Sequence, residues 1–406
     1  MQIQQLAGSI CAPQGFLAGG IHCGIRKNVN KKDLALIYST TLCNAAAVYT
    51  QNKVFGAPIV VTRKNIADGT AKAVICNSGN ANTCNADGII KAESMCKMLA
   101  NALNINEQDV IIASTGVIGQ PLNLEPIEKG IAALAGTLSS EGAHDAAEAI
   151  MTTDLAAKEC AVCLPIGGKT VCIGGIAKGS GMIHPNMATM LCFLTTDAAI
   201  SVPMLQTALK KSVQSTFNML SIDRDTSTND MASIMANGLA GNLPIEGPGE
   251  ALDLFIAALT FVLTDLTRKI AADGEGATKL LECSVTGAPD ESTAKIVAKS
   301  VITSNLVKAA MFGEDANWGR ILCAIGYADA DFSIDTIDVS LSSPAGKLQV
   351  CKNGFGVDFS EETASLLLAE KEISMLVDMN QGNASATAWG CDLTYDYVKI
   401  NGDYRT

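Results

Sequence analysis

The stretch Lys178-Gly-Ser-Gly-Met-Ile-His-Pro-Asn-Met-Ala-Thr-Met-Leu191 sits near the middle of the chain, and its reading decides how the rest is understood. A glycine-rich run, Gly174-Gly-Ile-Ala-Lys-Gly-Ser-Gly181, leads into it and reads as flexible. Pro185 fixes one backbone angle and biases His184 toward an extended conformation. The apolar run Met190-Leu-Cys-Phe-Leu194 predicts a buried strand. A small residue, Ala188, therefore precedes a hydroxyl residue, Thr189, at a loop-to-strand junction. That hydroxyl has the chemistry to attack the carbonyl of Ala188. An N-to-O acyl shift followed by hydrolysis would cut the chain and leave Thr189 as a new N-terminus. The freed α-amine, with a reference pKa of about 7.7–8.0, would act as a base near neutral pH. A threonine carrying its own amine is one recognised way to activate a weak hydroxyl nucleophile. Read locally, the same threonine is also an ordinary first residue of a strand.

A chain of 406 residues is too long for one ordinary core and predicts two or three domains, or one large layered α/β structure. With 48% hydrophobic and 17% charged residues it is globular rather than disordered. The net charge of −12, with no basic cluster, argues against nucleic acid as a partner. An acidic substrate would need local cations against that background. Fourteen cysteines are scattered through apolar runs, as in Val74-Ile-Cys76 and Val171-Cys-Ile173, and read as small buried hydrophobes. Cys160 and Cys163 make the one C-x-x-C pair, without a second pair or a histidine at zinc spacing, so neither a metal site nor a disulfide framework is expected. Met1-Gln-Ile-Gln-Gln lacks the basic and apolar parts of a secretory leader, and no apolar run approaches the ~20 residues of a membrane helix. A cytoplasmic protein without membrane association is expected.

Outward from the central stretch, Leu34-Ala-Leu-Ile-Tyr38, Ala46-Ala-Val-Tyr49 and Pro58-Ile-Val-Val-Thr62 predict three strands. His22 reads as packed or hydrogen-bonded rather than catalytic, and His144 as solvated. Ala73-Val-Ile-Cys-Asn77 runs into the turn Ser-Gly-Asn80-Ala-Asn82, which is either plain turn chemistry or a loop lining a site. Val110-Ile-Ile-Ala-Ser is a buried strand ending in the turn Thr115-Gly116. Residues 89–103, 124–138, 144–152, 202–219, 252–271 and 292–306 carry helical spacing. Val162 to Ile173, broken by Pro165 and Gly167-Gly168, reads as a hairpin. Asp223-Arg-Asp-Thr-Ser-Thr-Asn-Asp230 is dense in carboxylates but lacks the Gly and Glu of a calcium loop. From residue 281 the pattern changes to a separable block, ending in the strand-like alternation Leu393-Thr-Tyr-Asp-Tyr-Val-Lys-Ile400.

The central stretch resembles the processing segment of the ornithine acetyltransferase family, the ArgJ-type glutamate N-acetyltransferases, whose motif reads close to KGSGMIxPNMATML with cleavage between Ala and Thr. Asn77-Ser-Gly-Asn-Ala-Asn82, Asp223 to Asp230, Phe312-Gly-Glu-Asp-Ala-Asn-Trp-Gly-Arg320 and the terminal Ala388 to Thr406 resemble further blocks of that family, so the likeness spans the chain. Thr83-Cys-Asn85, Arg224 and Met231 depart from it. The resemblance implies an α/β fold of layered sheets and helices, N-terminal-nucleophile-like, with the chain self-cleaved at Ala188 and Thr189. The fragments would be 1–188 and 189–406, with 189–280 completing the catalytic domain and 281–406 a second, smaller domain. It implies acetyl transfer from N2-acetylornithine to glutamate through an acetyl-threonine, in an α2β2 heterotetramer, with acetyl-CoA as a possible second donor and neither metal nor organic cofactor.

The family's residue roles fall on Thr189 as nucleophile and on Thr115 and Gly116 as oxyanion donors. Substrate contacts fall on Thr153 (with Thr152 the near alternative), Lys178, Glu275, Asn401 and Thr406. Lys178 is the natural partner of a substrate carboxylate, and Glu275 of the ornithine ammonium groups. Two other classes remain open at this stage. An N-terminal-nucleophile amidase or aminopeptidase would use the same threonine but pass the acyl group to water. A non-enzymatic binding protein would remain one intact chain.

Overall fold

The computed structural model of the chain describes residues 3–184 and 190–403. Strands β1 (Gln4–Gln5), β2 (Phe16–Ile21) and β3 (Leu34–Tyr49) precede helix α1 (Ala57–Asn65). Next come β4 (Thr70–Asn77), α2 (Gly88–Leu103), β5 (Val110–Ser114), α3 (Glu125–Ala135) and α4 (Ala143–Ile150). The hairpin β6 (Lys158–Ile166) and β7 (Lys169–Lys178) leads to β8 (Leu191–Thr196), α5 (Val202–Ser215), β9 (Leu220–Ser221), β10 (Met231–Ala236) and α6 (Glu250–Ala272). The remainder is β11 (Leu280–Ala288), α7 (Glu291–Ile302), α8 (Asn305–Phe312), α9 (Trp318–Gly326), β12 (Asp338–Ser343), β13 (Gly346–Lys352), β14 (Phe355–Gly356), α10 (Glu361–Leu368), β15 (Glu372–Asp378), β16 (Ala384–Cys391) and α11 (Tyr395–Asp403). The expected layered α/β class is observed. None of these helices is long and apolar enough to cross a membrane.

Two compact units divide the chain. The first takes the described residues up to Gly179, residues 190–217 and Thr226–Leu266. Its sheet runs β1-β6-β7-β8-β10-β3-β4-β5, with β2 also on β3. Alternation along the strands sorts its core. Leu34, Leu36, Ala73, Ile75, Val110 and Ile112 face one way, against Val61 of α1, Met95 and Leu99 of α2 and Ile131 of α3. Ala35, Ile37, Val74, Ile111 and Ala113 face the other, against Ala146, Ala147 and Ile150 of α4. The sheet is therefore buried on both sides, which explains why its strands read as continuous apolar runs. The second unit takes Ser180–His184, Asn218–Asp225 and the described residues from Thr267 onward, and its sheet runs β14-β13-β12-β15-β11-β16-β9. Helix α7 packs on β11 and β16. Leu281, Cys283 and Val285 are buried in that core, while Glu282, Ser284 and Thr286 alternate with them on the more exposed face.

Several elements differ from their sequence reading. Pro58 to Thr62 belongs to α1, not a strand. Pro58 sits in the first turn behind the extended Gly56, where its missing N–H costs nothing, and Pro58, Val61, Thr62 and Asn65 bury at helical spacing. The two strands expected within residues 34–49 are one, β3, whose pairing with β4 shifts between Tyr38 and Cys43. The 292–306 helix is broken at Ser304, whose side chain accepts from Val307 N and caps α8. Gly174 and Gly175 are not flexible. They lie inside β7, where a side chain at 174 would run into the Ser9 carbonyl and one at 175 would stand 2.7 Å from Leu194. The tail is helix α11, not a strand. Thr394 Oγ1 takes the N–H of Tyr397 at 3.4 Å and itself donates to Gly276 O at 2.6 Å. With Tyr395 and Val398 exposed, the alternation there marks no buried face. Most cysteines are buried as expected, but Cys163 and Cys172, directly opposite across β6 and β7, form a disulfide.

Candidate active site

In the first unit, strand ends and the loops beyond them converge on a polar centre. β4 ends at Asn77 and β5, parallel to it, at Ser114. Asn77 Nδ2 donates to Ser114 Oγ at 2.7 Å, and its Oδ1 accepts from Asn80 N at 3.0 Å, so one side chain shapes the turn after each strand. Thr115 N–H donates to Asn77 O at 2.9 Å. The donors left on this turn are the Thr115 hydroxyl and the Gly116 N–H, both half-buried and with no hydrogen bond among the described residues. Gly116 has φ +126, and a Cβ there would stand 2.7 Å from Gly79 C and 2.8 Å from Asn80 N. Only glycine lets the turn press against the Asn77–Asn80 backbone.

Asn229, in the loop before β10, locks this region. It is 6% exposed, and its Nδ2 donates to Ala81 O at 2.6 Å and Ser114 O at 2.9 Å. Its Oδ1 accepts from Thr83 Oγ1 and Thr228 Oγ1, each at 2.6 Å. Parallel pairing sets Met231 of β10 beside Leu191 of β8, and antiparallel pairing sets Leu191 opposite Lys178 of β7. Met231 N donates to Met190 O at 3.0 Å, which fixes the residue next to Thr189 in the chain.

A buried set of charges surrounds Lys178. Asp154 Oδ1 accepts from Lys158 Nζ and from Gly179 N, both at 2.7 Å, and Oδ2 accepts from Thr152 N at 2.9 Å. Burial alone would raise Asp154, but Lys178 and Lys158 hold it below the usual carboxylate range. Burial pushes Lys178 below the ordinary lysine value, against the pull of Asp154 and Asp230. Burial pushes Asp230 well above the usual carboxylate range, opposed by Ser227 and Lys178. Arg26 adds a further cation, its Nε donating to Ser78 O at 2.9 Å and its Nη2 to Ser78 O and Met151 O.

In the second unit, Asp223 gathers Met182 N at 2.6 Å, Ile183 N at 2.9 Å, Asp225 N at 3.2 Å and Tyr397 Oη at 3.3 Å. The acid-rich run at 223–230 is thus spent at Asp223 on shaping its own chain. Glu275 N donates to Ser180 O at 2.8 Å, and Glu275 Oε2 accepts from Asn401 Nδ2 at 2.8 Å. A side chain at Gly181 would collide with the Glu275 carboxylate. His184 Nδ1 lies 3.0 Å from Ser221 Oγ.

The chain has known relatives in sequence. Residues 17–406 match the model of the ArgJ family. The chain belongs to that family. The arginine biosynthesis bifunctional protein ArgJ of Caldanaerobacter subterraneus subsp. tengcongensis is 52% identical over 402 residues, 99% of each chain. That of Symbiobacterium thermophilum is 52% identical over 407 residues and the whole of both chains. The crystal structure of the ArgJ protein of Bacillus halodurans is 46% identical with a TM-score of 0.50, and the match covers 98% of that chain and 52% of this one.

Set against the roles that the ArgJ resemblance carries, the structure groups Thr115, Gly116, Thr153 and Lys178 in the first unit and Glu275 with Asn401 in the second. Thr153 is half-buried between α4 and β6. Ala188, Thr189 and Thr406 lie outside the described residues. His22 is hydrogen-bonded as expected, with Nδ1 3.0 Å from Lys31 O and 3.3 Å from Asp33. His144 is exposed but not merely solvated: Glu159, 2.6 Å away, raises its pKa above the usual value. The sequence reading missed Asn229, Asp230, Asp154 and Lys158. The one available signal was the improbability of buried charge, and burial is not visible in a loop-like string such as Ser227-Thr-Asn-Asp230.

Proposed function

We propose that this chain is a glutamate N-acetyltransferase that moves the acetyl group of N2-acetylornithine to glutamate in arginine biosynthesis. The observation that carries this reading is the likeness, over essentially its full length, to arginine biosynthesis bifunctional ArgJ proteins. The chain cuts itself between Ala188 and Thr189. Fragment 189–406 then begins with the nucleophile, residues 189–280 complete the catalytic domain begun by 1–188, and 281–406 form the smaller domain. A solved relative matched over 98% of its own chain but only about half of this one is what a cut protein would yield.

In the transfer, Thr189 Oγ attacks the acetyl carbonyl while its α-amine takes the hydroxyl proton. The Thr115 hydroxyl and the Gly116 N–H are the donors for the tetrahedral oxyanion, each worth about 2.7–4 kcal/mol in comparable sites. Collapse expels ornithine and leaves acetyl-Thr189, and glutamate then takes the acetyl group by the reverse sequence. Lys178 receives a substrate carboxylate, and Thr153 borders the same site. Glu275, held by Asn401, receives the ornithine ammonium groups, with Thr406 closing the tail side. The relatives are named bifunctional, and we take the second activity here to be glutamate acetylation from acetyl-CoA. The fragments work in the cytoplasm as an α2β2 assembly.

The test is glutamate acetylation with acetylornithine and acetyl-CoA supplied separately, alongside a denaturing gel and N-terminal sequencing. Two fragments, the second beginning with Thr189, and transfer from acetylornithine are expected; Thr189→Ala should run as one inactive chain. Deacetylation as fast without glutamate as with it would instead mark a hydrolase. An uncut wild type with full activity would sink the mechanism.

A further inference from the structure

Glu275 lies in the connection between α6 and β11. Its Oε2 accepts from Asn401 Nδ2 at 2.8 Å, and its Oε1 has no hydrogen-bond partner among the described residues. One carboxylate oxygen is thus fixed and the other is left for a ligand. The two members of this pair come from distant parts of the chain, Glu275 from the connection and Asn401 from α11. Asn401 is exposed, so packing around it does not hold the pair together. Something else must hold the connection against the start of α11.

We propose that Asp392 is that positioning residue, setting the Glu275 carboxylate where it takes a substrate ammonium. Asp392 directly follows β16 and stands three residues before the first residue of α11. It is 3% exposed. Its Oδ1 accepts from Thr278 N at 2.9 Å and from Lys279 N at 3.0 Å, and its Oδ2 accepts from the Thr278 hydroxyl. The Asp392 N–H donates to Lys279 O at 3.3 Å. Two residues on, Thr394 Oγ1 donates to Gly276 O. The short link between β16 and α11 therefore grips residues 276, 278 and 279, directly after Glu275. Lys279 is anchored on its far side as well, its Nζ donating to Glu314 Oε1 at 3.0 Å and to Leu368 O. Glutamate 314 belongs to the block Phe312 to Arg320, which so far has no assigned work. Glycines permit the close fit, since a Cβ at Gly274 would stand 2.7 Å from Cys391 Sγ and one at Gly276 would stand 2.6 Å from Tyr397 N.

A carboxylate accepting from N–H and O–H groups makes charge-assisted hydrogen bonds, stronger than those between neutral partners. Three donors on two adjacent residues fix the direction of the chain there as well as its distance. A binding group works only when held within about 0.5 Å of its productive place, and the residues behind it do that holding. Without Asp392 the connection is free to drift from α11, and Glu275 Oε1 no longer stands at one point. Asp392 acts through Glu275, so its effect falls on recognition of the ammonium and not on the acetyl group.

Asp392 has this role only if Glu275 receives a substrate ammonium, as proposed above, and the experiment keeps the two apart. Glutamate acetylation is measured with N2-acetylornithine and with N-acetylnorvaline, the same donor without its side-chain ammonium, and the ratio of the two kcat/KM values is taken. Wild type should favour acetylornithine by roughly 10- to 150-fold, the worth of a hydrogen bond to a charged group. Asp392→Ala should lower that ratio by roughly tenfold, mainly through KM for acetylornithine. Asp392→Asn keeps an oxygen for Thr278 N and Lys279 N and should keep most of the ratio. In a Glu275→Gln background, Asp392→Ala should change the ratio no further. Thr278→Val alters an exposed residue, removes the hydroxyl held by Asp392, and should lower the ratio by roughly threefold. If Glu275→Gln loses the preference while Asp392→Ala loses activity equally with both donors, Asp392 is merely structural and the proposal is overturned. Should Asp392→Ala fail to fold, an unchanged ratio in Thr278→Val overturns it instead. A wild type indifferent between the donors, or a Glu275→Gln enzyme that keeps the preference, overturns the reading of Glu275 and the proposal with it.

Discussion

Replacing Asn229 with alanine tests whether the site is held by one side chain. Asn229 donates to two carbonyls, Ala81 O and Ser114 O, and accepts from two hydroxyls, Thr83 and Thr228. The hydroxyls have an exit, because Thr83 Oγ1 already lies 3.3 Å from Ala81 O and can turn toward it. The carbonyls keep fewer options, and a buried acceptor left unsatisfied costs about 1–3 kcal/mol. With Thr83 restoring a partner to Ala81 O, Ser114 O is the carbonyl left without this donor, which puts the expected loss of stability at about 1–3 kcal/mol. Ser114 immediately precedes the turn proposed to bind the oxyanion, so kcat should fall as well, by part of the roughly 10²–10³ that one donor supplies. Asn229→Asp should be worse, since it sets a buried carboxylate oxygen against a carbonyl and beside Asp230. Chemical denaturation of wild type and both variants, with steady-state kinetics on the folded fraction, makes the measurement. A loss under about 1 kcal/mol for Asn229→Ala, the worth of a single ordinary hydrogen bond, would refute the reasoning.

Other substitutions probe the remaining contacts. Thr115→Ala should leave the fold intact and lower kcat by roughly 10²–10³; an unchanged kcat would make Thr115 a turn residue only. Gly116→Ala should cost stability as well as activity, because its Cβ meets backbone at 2.7–2.9 Å and its φ of +126 is strained for any side chain, and equal melting temperatures would contradict this. Asn401→Ala frees the Glu275 carboxylate and should raise KM for acetylornithine more than it lowers kcat, so an unchanged KM would remove α11 from the substrate site. His184 is held down to about 4 by burial and by Lys299 and Arg224. The unfolded chain protonates it at about 6.5 while the fold resists, so stability is unaffected above that pH and falls as pH drops from about 6.5 toward 4. Denaturation midpoints of His184→Asn should fall less steeply across that window than those of wild type.

Much of the layered core was legible because its strands are buried on both faces and so spell continuous apolar runs, as at Val110-Ile-Ile-Ala and Leu191-Cys-Phe-Leu. The same cue misled at Pro58-Ile-Val-Val-Thr62, where an apolar β-branched run is the buried side of a helix started by its proline. It misled again in the tail, where alternation over Leu393 to Ile400 carried no information because Tyr395 and Val398 are exposed. The site divides along a similar line. Thr115-Gly116 and the Glu275 segment were found through family motifs, and their turn and glycine chemistry then made sense of them. Asn229, Asp230 and Lys158 were invisible because their significance is burial beside a partner distant in sequence, as when Asn229 meets Ser114 across 115 residues.

The position of β8 has a consequence for the life history of the molecule. It is hydrogen-bonded on one side to β7, which precedes the proposed cut, and on the other to β10, which follows it. Severing the chain between Ala188 and Thr189, as proposed, would leave six residues of sheet running edge to edge between two separate polypeptides. The native state would then be reached from the intact precursor by a unimolecular search, whereas the cut protein, if melted, would have to reassemble by collision. Unfolding of the precursor should be independent of protein concentration, and recovery of the mature enzyme should depend on it steeply. On that proposal each molecule would be folded once as a single chain and thereafter preserved by the slowness of its opening rather than by its ability to begin again.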